Sequence, residues 1–165
     1  MAGPGAAKVT ALDWIVVGAG LLAYISSFLP WYTASISILS ITRSAGVDAW
    51  HAGFGAYFSV LLLVVAGVLV LVSTLGGPGL ATSRSLITLG VSVLALLTLV
   101  LRWMTFPDAG SGLGSPGELD DFHLGSAFAV SSGAGVGLYL GLIAAIAAVV
   151  ASLLTFRAAS RNVAS

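Results

Sequence analysis

The stretch FGAYFSVLLLVVAGVLVLVSTL, Phe54–Leu75, decides how this chain is read. It contains no charged residue and, as a helix, is long enough to cross a hydrocarbon core of ~30 Å. Three more apolar blocks share that character: Leu12–Leu29, Leu86–Met104 and Gly133–Phe156. Charge is confined to the gaps and the block ends. The expected fold class is therefore an all-α membrane protein, a four-helix transmembrane bundle forming one domain over residues 1–165. Helices are expected near 12–30, 52–75, 83–104 and 133–156. Outer loops would span 31–51 and 105–132, with an inner loop at 76–82.

Composition agrees. Of 165 residues, 58% are hydrophobic and only 7% charged, whereas soluble chains carry ~25% charged residues. Mean hydropathy is +1.09. The net charge is +0 and the six basic residues are scattered, which argues against nucleic acid, since phosphate backbones demand clustered Lys and Arg. The chain has no cysteine, so disulfides, thiolate metal sites and thiol catalysis are excluded together. Lys8 before an apolar run suits a signal peptide. However, Pro30-Trp31-Tyr32 stands where small residues should mark a cleavage site, and the first block is expected to remain.

Local signals place the element ends. Asp13 suits the N-terminus of helix 1, and Pro30 ends it by interrupting backbone bonding. The β-branched, partly alternating run Thr33–Ser44 predicts a short β segment in the first outer loop. Gly76-Gly77-Pro78-Gly79 is a turn joining helices 2 and 3 into an antiparallel hairpin. Glycine and proline after Pro107 predict an irregular second outer loop. Lys8, Arg84, Arg157 and Arg161 would lie on one side of the membrane and only Arg43 and Arg102 on the other. This places both termini in the cytoplasm. The expected address is the bacterial plasma (inner) membrane, multi-pass.

Few residues suggest chemistry. Trp31, Tyr32, Trp50 and Trp103 are expected as anchors at the outer headgroup level, where amphipathic rings are favoured. Gly137, Gly141 and Ala145 line a small-residue face on helix 4 that lets backbones approach closely. Its partner is either a second protein or helix 1, where Gly18 and Ala19 offer a matching surface. No charge lies at mid-depth in any block, which argues against ion-coupled transport. Ser59, Thr88, Ser92 and Thr98 are expected to bond back to their own helices. Glu118, Asp120, Asp121 and His123 match no metal-binding spacing and read as a solvated acidic loop. His51 is expected beside Trp50 at the outer interface.

Phe28-Leu29-Pro30-Trp31-Tyr32, Ala49-Trp50, Leu101-Arg102-Trp103 before Pro107, and Gly137-Leu138-Tyr139-Leu140-Gly141-Leu142 before Arg157 together carry a resemblance. The chain resembles small four-span integral membrane proteins of actinobacteria, and the resemblance implies topology alone. Its layout is also similar to that of claudin-like proteins, without their cysteine pair and Gly-Leu-Trp signature. The functional expectation is a non-catalytic accessory or scaffold subunit, without cofactor or metal. It would dock a membrane or envelope partner or associate with itself in the lipid bilayer. The alternative is a small transporter or lipid-binding protein using a cavity between helices.

Overall fold

The computed structural model describes residues 10–38, 41–75, 81–105 and 128–163. These residues form four helices and a small antiparallel sheet, in the order α1 (Ala11–Ser26), β1 (Tyr32–Ile38), β2 (Ile41–Val47), α2 (Phe54–Leu75), α3 (Ala81–Met104), β3 (Phe128–Ala134) and α4 (Val136–Val163). Helix α1 packs on α2 and α4, and α3 packs on the same two, so the helices form a ring in chain order. The sheet closes the end of the bundle where α1 stops and α2 and α4 begin.

Thr10 starts α1 through a capping box. Its amide donates to Asp13 Oδ2 at 2.8 Å, while the Asp13 amide donates to Thr10 Oγ1 at 3.3 Å. Asp13 therefore works from the third helical position, satisfying end amides that the helix leaves unpaired. Helix α1 stops at Ser26, short of Pro30, and its 16 residues rise only ~24 Å. Helices α2, α3 and α4 are each long and apolar enough to cross a membrane.

The bundle interior is rich in small side chains, packed with Val16, Leu63 and Val70. Ala19, Ala23, Ala66, Ala95, Ala144, Ala145, Ala148 and Ala151 are all buried. Leu61, Val68, Ile87, Leu94, Leu97, Ile143 and Val150 point outward. Small residues let backbones approach closely. The limit is reached at Gly20, where a Cβ would fall 2.8 Å from the Leu63 carbonyl oxygen on α2. Larger side chains fill the sheet end, where Trp31, Tyr32, Val60, Leu99 and Leu138 form one cluster.

Three features depart from the expected loops. The first connection holds two strands rather than one, with Tyr32 opposite Val47 and Ile38 opposite Ile41. A third strand comes from the second connection. β3 pairs with the other edge of β1, Tyr32 opposite Ala134, giving the order β2-β1-β3. Helix α4 consequently starts at Val136, not Gly133, and runs on to Val163. Gly133 belongs to the strand, because pairing with β1 satisfies backbone groups that a glycine-rich helix start would expose. The acidic cluster Glu118–His123 lies outside the described residues.

The two α1 glycines give opposite expectations. Gly20→Ala must push α1 from α2 and should cost about 1–3 kcal/mol, as overpacking does. Gly18→Ala meets nothing within 4 Å and should be neutral or stabilising by up to about 1 kcal/mol through helix propensity. Thermal unfolding of the two variants in mild detergent checks the order.

Candidate functional site: a sheet platform seated on the bundle

The backbone around Trp31 is held from both sides. Its amide donates to the Val47 carbonyl at 2.8 Å, and its carbonyl accepts from the Gly135 amide at 2.7 Å. The preceding Pro30 carbonyl accepts from the Gly137 amide at 2.9 Å. Trp31 thus lies where the sheet meets the helices, and its indole turns inward. It is 0% exposed, with Nε1–H donating to the Ser26 carbonyl at 2.9 Å.

Gly137 and Gly141 form the seat for this indole. A Cβ at Gly137 would fall 2.5 Å from Trp31 Cδ1 and 2.7 Å from the Ser26 carbonyl oxygen. At Gly141 it would fall 3.2 Å from Trp31 Cζ2. The glycine spacing on α4 therefore accommodates a side chain from the end of α1, while Ala145 lies buried in the alanine cluster below. Of the proposed matching surface on α1, Ala19 is in that cluster, but Gly18 is exposed and a Cβ there would meet nothing within 4 Å.

The aromatic anchors divide. Trp31 and Tyr32, at 0% and 8% exposure, are core residues of the sheet end; Trp50 and Trp103, at 37% and 44%, reach the surface. Trp31 departs from its expected place because the peptide groups flanking it are locked to β2, Gly135 and Gly137. A continuous series of rings surrounds Trp50. Tyr24 meets Phe28 edge-on, Phe28 leans on Trp50, and Trp50 stacks on Tyr57 with ring centroids 6.4 Å apart. Tyr57 then meets Phe54, which stacks on Phe58. The signal for this cluster in the sequence is the spacing of three and four between aromatic residues, Tyr24 to Phe28 at the end of α1 and Phe54 to Tyr57 and Phe58 on α2.

A tight turn links the sheet to α2. The Ala49 amide donates to the Ser27 carbonyl at 3.0 Å, and Trp50 Nε1–H donates to Ser27 Oγ at 3.1 Å. Asp48 organises the turn by accepting the His51 amide at 2.9 Å, with His51 Nδ1 2.7 Å from the same carboxylate oxygen. The His51 hydrogen bond holds the Asp48 carboxyl below its ordinary pKa. His51 is thus a partner of Asp48 as well as a neighbour of Trp50.

Arg102 completes the site from α3. Its Nη2 donates to the Ala52 carbonyl and its Nη1 to the Thr105 carbonyl at 3.4 Å. The guanidinium carbon lies 5.3 Å from the Tyr32 ring centroid, a cation–π contact. Burial raises the Tyr32 pKa, opposed by the nearby charge of Arg102.

The hydroxyls inside the bundle are mostly turned onto backbone. Ser59 donates to the Ala56 carbonyl and Thr98 to the Leu94 carbonyl. Ser92 differs, its Oγ lying 3.4 Å from that of Ser152 and joining α3 to α4. Among the described residues, no three His, Asp or Glu side chains gather in a group that could hold a metal. No protein-family model matches the chain, and comparison with curated proteins finds no match.

The Asp48 interaction has a defined pH signature. Because the folded-state pKa is lowered, its stabilisation is fully present above the ordinary carboxylate range and is lost as pH falls through the folded value. Asp48→Asn should therefore unfold at a lower temperature than the native chain at neutral pH, and the gap should close on acidification. A gap in melting temperature that stays constant down to pH 3 would contradict the assignment.

Proposed function

We propose that this chain is a non-catalytic, four-span protein of the bacterial plasma membrane, an accessory or scaffold subunit that docks a membrane or envelope partner. In this reading α1 is the shortest span, lengthened by the turn before Pro30. The outward-facing large side chains contact lipid, and the sheet lies outside the cell. Arg157 and Arg161 follow the apolar part of α4 at the cytoplasmic end, in keeping with the positive-inside rule.

The observation that carries the docking reading is the exposed outer strand. β2 is an edge of the sheet, and residues 42–47 are all exposed. Behind them, β1 is fixed to the bundle through Trp31. An edge strand is a natural template for an added strand, and a firmly held edge loses little entropy on binding. A second reading, a lipid-binding protein or small transporter, is favoured by one other observation. An apolar crevice of about 450 Å³ runs between α1 and α4, lined by Leu12, Ile15, Ile143, Ile146, Val150 and Leu154.

Crosslinking separates the readings. A photo-reactive residue at Ser44 should trap a stoichiometric protein adduct in cells, while one at the outward Leu97 should trap lipid. Recovery of lipid alone from both positions would favour the second reading. The absence of native cysteine gives a parallel check of orientation. Ser44→Cys should react with an impermeant maleimide in intact cells, and Ala158→Cys only after permeabilisation. The reverse labelling would invert the orientation.

A further inference from the structure

Arg102 is the one described basic side chain drawn into the packed sheet end of the bundle. Its acceptors there, the Ala52 and Thr105 carbonyls, are neutral. Its Nε–H is buried and meets no acceptor among the described residues. The only ion pair among the described residues is His51 with Asp48, so no described carboxylate neutralises the guanidinium. A partly buried cation without a counter-charge is costly.

A cavity of about 350 Å³ opens beside it, between the start of α2 and the end of α3. Gly53, Phe54 and Gly55 form one wall, with Thr98, Leu101 and Arg102 on the other. Gly53 has a φ of 101°, which favours glycine, and a Cβ there would fall 3.3 Å from Arg102 Nη2. A Cβ at Gly55 would fall 3.4 Å from Arg102 Cδ. These glycines leave room for the arginine at the very edge of the cavity. The first turn of α2 faces the same space and adds the positive end of its dipole. Phe54 and Leu101 are exposed at the rim, and Leu97 and Leu94 are exposed further along α3.

We propose that this cavity holds the phosphate of a membrane phospholipid, with Arg102 as its counter-charge and an acyl chain running down α3 along Leu101, Leu97 and Leu94. The site rests on the membrane reading given above. Phosphate suits the place because a guanidinium can offer it charge-assisted hydrogen bonds. The polar cation sits at the bundle end, at headgroup depth, and the exposed apolar side chains continue from it in the direction of the acyl chains.

The test is lipid titration of the purified full chain in mild detergent, read by native mass spectrometry. The probes are phosphatidylglycerol and a diacylglycerol with the same chains. The native protein should bind phosphatidylglycerol about tenfold more tightly, a difference of about 1.4 kcal/mol. Arg102→Gln should abolish the preference, whereas Arg43→Gln, on the exposed β2 strand, should retain it. If Arg102→Gln does not fold, Thr98→Trp fills the cavity while sparing the cation, and it should abolish the preference with the same thermal stability. Equal binding of the two lipids by the native chain would overturn the site. So would displacement of phosphatidylglycerol by equimolar inorganic phosphate, which would make the ligand a free anion. Neutralising Asp108, Glu118, Asp120 and Asp121 together should leave affinity unchanged; a marked rise would show that the chain's own acids fill the cavity, and would also overturn it. Release of the chain from membranes by alkaline carbonate would instead refute the membrane reading, independently of the lipid preference.

Discussion

The burial of one indole organises this molecule. Trp31 stands between a helix that must stop and a strand that must begin, and it is fixed on both sides by backbone hydrogen bonds to β2 and to the start of α4. Its ring can then go only inward, into the space that Gly137 and Gly141 leave on α4. Burying a tryptophan contributes a large apolar area, and its Nε1–H finds the Ser26 carbonyl, so no polar atom is stranded. Sheet, α1 and α4 are joined at a single point. The turn after β2 then brings Trp50 and Asp48 to the end of α1, and Arg102 reaches from α3 to the same turn.

Below that joint the packing follows a different rule. The interior is rich in alanine and glycine, with Val16, Leu63 and Val70 among them, while many larger aliphatic side chains point outward. A bundle in water gains by burying its large apolar groups. In lipid that gain vanishes, and close backbone approach with many dispersion contacts takes its place. The contact of Gly20 with Leu63 and the buried alanines bring the helix backbones close together. The hydroxyls of Ser26, Ser27 and Ser59 donate to carbonyls three residues back, and Ser92 and Ser152 pair with each other.

The helices were legible because each is a long apolar block bounded by proline, glycine or charge, signals that act within a few residues. The β segment after Pro30 was legible from the β-branched run Thr33–Ser44. Its second partner was not, since Phe128–Ala134 is small and glycine-containing and pairs with a strand about a hundred residues earlier. The same distance hid the role of Trp31. Beside a helix-ending proline it has the local appearance of a headgroup anchor, and nothing nearby in the chain announces the seat on α4. The Gly137–Gly141 spacing pointed to a close contact, yet a spacing cannot say whether the approaching group is a backbone or a ring. Arg102 was visible as a charge at a helix end; its turn toward Tyr32 and Ala52 depends on three elements meeting.

The seating of Trp31 is most directly tested by a double-mutant cycle with Gly141, whose added side chain would meet Trp31 and Leu99 rather than backbone. Thermal unfolding would be measured for the native chain, Gly141→Leu, Trp31→Ala and the double variant. If the indole occupies the glycine seat, Gly141→Leu destabilises the native chain but is harmless or stabilising once Trp31→Ala has vacated the space. The coupling should be about 1–3 kcal/mol, as for residues in direct contact. Effects that add to within about 0.5 kcal/mol would contradict the account.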